Sequence, residues 1–255
     1  MFPARPFAIA AAETETLVSQ QERGQGSAAH NRQQQVLINN EQFLKHEPAE
    51  FLGDWHPLVS QLGSTEGLAE FASLADLLRI GSIDSESTLH EFLIRYQNEL
   101  LVPVELPTIM RAYTHACGNE LREMIAFDQE QHLNPAFRDF GSASRRVGQA
   151  QLRRLKPLRD HRLVQRYLRA VDEGRADGWH TIVYGVTLSV YSLPLRQGLL
   201  HFSAETLRGF VQMACRSVEA SESALTAMLN ERFSELVSEI EKALPDSADS
   251  PIRLL

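Results

Sequence analysis

An all-α fold, a single multi-helix bundle around a buried central helix, is what this sequence predicts, and three observations carry it. Beyond about residue 50, apolar residues recur three and four positions apart, the helical period. Val-rich alternating runs joined by Asn-Gly or Asp-Gly turns are missing, so little in the chain supplies a sheet. Finally, Trp179 to Val190 (WHTIVYGVTLSV) is apolar or small at nearly every position, and a helix apolar all round has no solvent face.

The elements follow in order. Asp84 or Ser85 can cap a helix carrying Leu89, Phe92, Leu93, Tyr96 and Leu100. Pro103 and Pro107 punctuate, and Pro107 suits the first turn of a second helix with Ile109, Met110 and Tyr113, ending near Gly118. Asn119 caps ELREMIAFDQEQHL, and Pro135 ends it. A further helix runs from about Arg138 past Leu152 to Pro157, and another covers Leu163 to Val171. DEGRADG is a loop by composition. The buried helix comes next, and Gly185 in it lets a neighbour approach closely. Ser192 and Pro194 form a break and a restart. Leu195, Leu199, Phe202, Leu207, Phe210, Val211 and Ala214 then form a stripe that continues through Val218, Leu225, Leu229 and Leu236: two helices packed as a bundle wall.

Residues 1–50 are different. SQQERGQGSAAHNRQQQVLINNEQ is polar, rich in Gln and Asn and short of bulky apolar groups, so it is read as a flexible arm. The helical domain is expected over residues 51–244 and a flexible tail over 245–255.

Bulk properties exclude several classes. The chain has 255 residues, 43% of them apolar, enough for a real core. A net charge of −8 and a pI near 5.6 argue against a sheath around nucleic acid or an anionic membrane. Two cysteines, Cys117 and Cys215, make no disulfide scaffold; both are read as small core residues, and a reducing compartment suits them. No secretory leader is evident, and no run of about 20 apolar residues suggests a membrane span.

Catalytic signatures are largely missing. No Gly-Lys pair exists for a P-loop, and neither G-x-S-x-G nor H-E-x-x-H occurs. No Glu has His three positions later, as a di-iron bundle needs, and Cys-x-x-Cys is absent. His115, Glu120, Glu123, Asp128, Glu130 and His132 lie close in sequence. Surface carboxylates on a helix explain them; the rival reading is a helical metal-dependent enzyme using His115, Glu120, Glu123 and His132. His180 is read as a core or capping histidine, not a ligand. No catalytic residue, metal ligand or cofactor is assigned.

Charge is distributed unevenly. Arg145, Arg146, Arg153, Arg154, Lys156, Arg159, Arg162, Arg166 and Arg169 face only Asp160, giving a segment of +8 and leaving −16 for the rest of a chain of net −8. Two solvated helix faces account for this; so does a docking face for an acidic protein partner. The acidic remainder and the lack of interleaved aromatics beyond Tyr167 argue against nucleic acid.

The order of these motifs resembles the urease accessory protein F family, from about Ser64 to about Phe233. STEGLAEF is similar to the family's Ser-x-Gly-Leu-Glu through Gly67, Leu68 and Glu70, with Ala69 intervening. GSIDSESTLHEFL matches through Gly81, Leu89, Phe92 and Leu93, and SASRRVGQAQL through Ser144, Arg146, Gly148 and Leu152. HTIVYG places His180 and Gly185 at the family spacing, LPLRQGLLHF resembles the family's Leu-Pro-Leu helix start, and Arg216 opens the last shared stretch. The family's Pro-Leu-Gly-Gln is replaced by Glu219, Ala220, Ser221 and Glu222. The resemblance implies an all-helical, cytoplasmic, dimerising protein with no catalysis of its own. It implies a bridge between a nickel-carrying GTPase and a D/H-type accessory protein, in a complex that acts on apo-urease; the alternative beside it is an adaptor of the same fold serving a partner other than urease. Partner contacts are expected at Arg145, Arg146, Arg153 and Arg154, near Arg216 and Glu222. Gly67, Glu70, Gly148, His180 and Gly185 are expected to be structural.

Overall fold

The computed structural model describes residues 65–134, 141–215 and 217–244, with 65–70 as backbone only. All of these lie within the compact unit Leu52–Leu255. The expectations for the arm, the tail, Pro135 and Arg216 fall outside the described residues. Among the described residues there is no strand, and the fold is all-α.

Helix α1 is Thr65–Leu77. Arg79, at φ +59°, then takes a left-handed turn, and the N–H groups of Arg79 and Ile80 close on the Asp76 and Ala75 carbonyls. α2, Glu86–Tyr96, starts where the sequence places a cap. The Ser85 hydroxyl accepts from Thr88 N–H, and the Thr88 hydroxyl accepts from Ser85 N–H, a reciprocal box worth about 1 kcal/mol.

Pro103 does not punctuate as expected. The chain stays helical through a π-helical turn, Gln97–Glu105, and runs on into α3, Leu106–Cys117. A proline lacks the N–H for an i→i−4 bond and its ring crowds the preceding turn; widening to i→i−5, as in Leu106 N–H to Leu101 O, accommodates it without a break. Pro107 sits in the first turn of α3, where its missing donor costs nothing.

Asn119 does not cap the following helix, as expected; it ends α3. At φ +54° it occupies the left-handed position of a Schellman turn, with Asn119 N–H on Ala116 O and Glu120 N–H on His115 O. Helix α4, Leu121–Gln131, has Glu120 at its N-cap, whose side chain makes no capping bond to the helix. α5 is Gly141–Arg154 and α6 is Arg162–Asp172, whose Leu163, Val164, Tyr167, Leu168, Ala170 and Val171 face inward. Gly174, at φ +71°, closes α6 with another Schellman turn.

α7, His180–Val190, is the central helix, buried from His180 through Leu188. It packs on α3, α5 and α8. Its crossing with α3 is close because of Gly185, where an added Cβ would lie 2.5 Å from the Ile109 carbonyl oxygen. Its start abuts α5 at Gly148, where a Cβ would lie 2.1 Å from Gly178 O. Ser192, at φ +52°, breaks the chain after α7, as expected. α8, Leu195–Ala214, and α9, Glu222–Ala243, then pack on each other and on α2. Ser221 caps α9 by accepting from Ala224 N–H, so the stretch Glu219–Glu222 that departs from the family pattern supplies a working helix start.

Two aromatic clusters knit these layers. Phe210 of α8 stacks 5.7 Å from Phe71 of α1 and meets Phe92 and Tyr96 of α2 edge-on at 5.2 and 4.6 Å. Nearer the centre, Phe202 lies 5.2 Å from Tyr184 and 5.8 Å from His180, and the Tyr184 hydroxyl donates to Gly198 O at 3.0 Å. Both cysteines are exposed, contrary to the core reading, because each lies at the end of a helix, where the chain turns at the surface.

Candidate functional site

Burial and bonding divide the ionisable groups into those that hold the bundle together and those left at its surface. The clearest internal group centres on Asp128. α4 carries it inward, fully buried, although its sequence neighbours are surface carboxylates. Its Oδ2 accepts from the Tyr167 hydroxyl of α6 at 2.5 Å and from Gly178 N–H at 3.0 Å, and its Oδ1 accepts from Asp177 N–H. Its backbone carbonyl accepts from Trp179 Nε1 at 3.0 Å. One residue thus ties α4, α6 and the loop that launches α7. Burial raises its pKa, opposed by these hydrogen bonds; burial and the adjacent Asp128 charge push the Tyr167 hydroxyl up as well. The sequence reading places Asp128 among the surface carboxylates of this helix, and its burial corrects that. Its signal was its position one residue after Phe127, on the apolar side of the α4 pattern.

Two expected surface groups are drawn into this cluster. Arg145 pairs with Asp177 at 3.2 Å and lies over the Trp179 ring at 5.4 Å, half-buried. His132 meets Asp177 at 3.4 Å.

The rival metal set does not assemble. His115 is held by Glu120 at 2.8 Å, beside Phe127, while His132 stands with Asp177 and Trp179. Among the described residues no group of three or more His, Cys, Asp or Glu is placed to hold a metal ion. His180 is fully buried, its ring against Tyr184 and Phe202, and its backbone N–H donates to the Ser144 hydroxyl.

The basic segment is the distinctive surface feature. Arg153 pairs loosely with Asp172 at 3.8 Å, and Arg146 and Arg154 are exposed. Beyond them, α6 presents Arg162, Arg166 and Arg169 on its outer side. Glu222 is exposed in the first turn of α9. α5 packs on α6 and α7, while α9 packs on α8, α2 and the π turn, so the expected contact residues are spread over two walls of the bundle. Arg216 lies outside the described residues. Gly148 and Gly185 lie at the close approaches given above; Gly67 and Glu70 are in α1, and the Glu70 side chain is not described.

These features define a class: an all-helical bundle whose buried ionisable groups serve packing and whose surface carries a concentrated cationic face. The particular family follows from comparison. Residues 83–232 match the family model UreF, more than half of the chain, and the chain belongs to that family. The match begins after the stretch containing Gly67, Glu70 and Gly81. The chain is 25% identical over 171 residues to the urease accessory protein UreF of Psychrobacter cryohalolentis, an alignment covering 67% of this chain and 72% of that protein.

Proposed function

We propose that this chain is a urease accessory protein that works as a scaffold, carrying out no catalysis itself. The observation that supports this most directly is the family match across the helical core, from the capped start of α2 to the middle of α9. On this reading the chain bridges a nickel-carrying GTPase and a D/H-type accessory protein, and the complex delivers nickel to apo-urease. The chain acts in the cytoplasm as a homodimer, without nucleic acid or membrane as partner. Among the described residues no helix is long and apolar enough to cross a membrane. Arg145, Arg146, Arg153, Arg154, Arg216 and Glu222 are the partner contacts of this reading. The surplus of positive charge along α5 supports the assignment because opposite charge speeds and orients encounter.

The test is co-purification of the tagged full-length chain with the GTPase and the D/H-type protein. The reversal Arg146→Glu/Arg153→Glu/Arg154→Glu is expected to lose the GTPase while leaving circular dichroism unchanged. Arg145 is left intact because its pair with Asp177 reaches the Asp128 cluster. Unchanged GTPase recovery by the triple variant would remove the docking role of α5. Failure of the unaltered chain to recover either protein, or to restore urease activity to cells lacking it, would remove the urease assignment.

A further inference from the structure

The turn between α5 and α6 forms an open groove of about 610 Å³ lined by Arg153, Lys156, Pro157, Arg159 and Gln165. This groove is a built feature. The Gln165 amide, one turn into α6, donates to both Lys156 O and Leu158 O at 3.1 Å, which holds the turn against the helix. From the groove the cationic surface continues along α6 through Arg162, Arg166 and Arg169, spaced four and three apart on the exposed side of a helix whose other side is wholly in the core. Among the described residues no ion pair engages Arg154, Lys156, Arg159, Arg162, Arg166 or Arg169. Elsewhere the exposed Arg111 pairs with Glu130, Arg175 with Glu173 and Lys242 with Glu239, while Arg79 and Arg122, each without an ion pair among the described residues, stand singly and not in a run. A run of like charges without counter-ions opposes folding locally, and an external anion relieves it.

We propose that this groove and the α6 stripe dock an acidic, extended segment of a partner protein. The inference rests on the scaffold reading above but places the contact on the α5–α6 turn and α6, beyond the α5 residues assigned there. The spacing sets the ligand's chemistry. Arg162, Arg166 and Arg169 are separated along the helix axis by about 6 and 4.5 Å. Alternate side chains of an extended peptide repeat at about 6.6 Å, close to the first step, and the flexible arginine stems take up the difference of about 2 Å at the second, so carboxylates at every second residue reach successive guanidiniums. Nucleic acid is disfavoured for two reasons. Single-stranded binders stack bases on exposed aromatics, and Tyr167, the aromatic of this segment, is fully buried on Asp128. The remaining −16 of the chain also repels a polyanion that extends past the patch.

The experiment uses the purified full-length chain and a fluorescein-labelled peptide of about 12 residues alternating Glu and Ser, followed by anisotropy at about 50 and 300 mM NaCl. Saturable binding that weakens with salt is expected. Arg162→Glu/Arg166→Glu is expected to lower affinity about 10-fold or more, and Arg122→Glu/Lys242→Glu, the same charge change elsewhere, by about 2-fold at most. The milder Arg162→Gln/Arg166→Gln is expected to give an intermediate loss and covers the case of a reversal that does not fold. No saturable binding at low salt, equal losses for the two reversals, or tighter binding of a single-stranded RNA of equal charge would each overturn the proposal. No urease component is present in the assay. Failure here therefore leaves the co-purification result standing, and loss of co-purification with peptide binding intact strikes the scaffold reading alone.

Discussion

Gly185→Ala is the sharpest test of the packing. The added methyl lies 2.5 Å from Ile109 O, 2.9 Å from Ala112 Cβ and 3.0 Å from Tyr113 N. Two of these are backbone atoms of α3, so no side chain can swing away. An ordinary carbon–oxygen contact is about 3.4 Å or more, so α3 and α7 must separate by nearly 1 Å along their most extensive contact. Overpacking of this kind costs about 3 kcal/mol, and replacing glycine by alanine within a helix returns about 1 kcal/mol. The net loss of about 2 kcal/mol lowers the melting temperature by about 4–8 °C for a domain of this size. Gly81→Ala is the companion: it has open space around it but φ +72°, so its penalty is backbone strain alone, about 1 kcal/mol. Melting curves by circular dichroism decide. A Gly185→Ala protein that melts within about 1 °C of the unaltered chain, or a Gly81→Ala protein that melts lower than Gly185→Ala, would refute the close-crossing argument.

Two further predictions concern pH. Tyr167→Phe removes a donor from a buried carboxylate and is expected to cost about 1–3 kcal/mol. The Asp128 pKa is raised in the folded state, so the folded protein binds more protons there than the unfolded chain, and its stability falls as pH rises above 3.8 through that window. The ionised form is the one that needs the donor, so the Tyr167→Phe penalty is expected to be larger at about pH 7 than near pH 4; urea unfolding at the two values tests this, and a pH-independent penalty contradicts it. His201 behaves oppositely. Burial lowers its pKa from 6.5, with Glu205 opposing and Arg208 adding, so its contribution is complete above 6.5 and is lost as pH falls below. His201→Gln should flatten the decline in stability between about pH 6.5 and 5, and an unchanged slope would show that His201 carries none of it.

Much of the architecture was legible because helices with one apolar stripe announce themselves residue by residue. Ser85 as a cap, Pro107 in a first turn, the Ser192 break and the all-apolar Trp179–Val190 follow from local chemistry that needs no partner. Pro103 and Asn119 were less so. Each has two lawful local outcomes, break or widened turn, helix start or helix end, and the surrounding packing selects one. The docking candidates were legible as a charge excess but not as individuals: Arg145 turns inward to Asp177 and Trp179, while Arg162, Arg166 and Arg169 stand free of ion pairs among the described residues.

Sequence by itself determined that this chain is a helical bundle with a buried middle helix and an uneven charge, since periodicity and composition are properties of neighbours along the chain. Only the tertiary structure decided that Asp128 is interior and that His115 and His132 serve different partners. It also decided that Arg145 turns inward while Arg162, Arg166 and Arg169 stay on the outer side of α6. Burial and pairing depend on residues 30 to 50 positions away, whose approach is settled by how closely Gly148 and Gly185 let the helices come together.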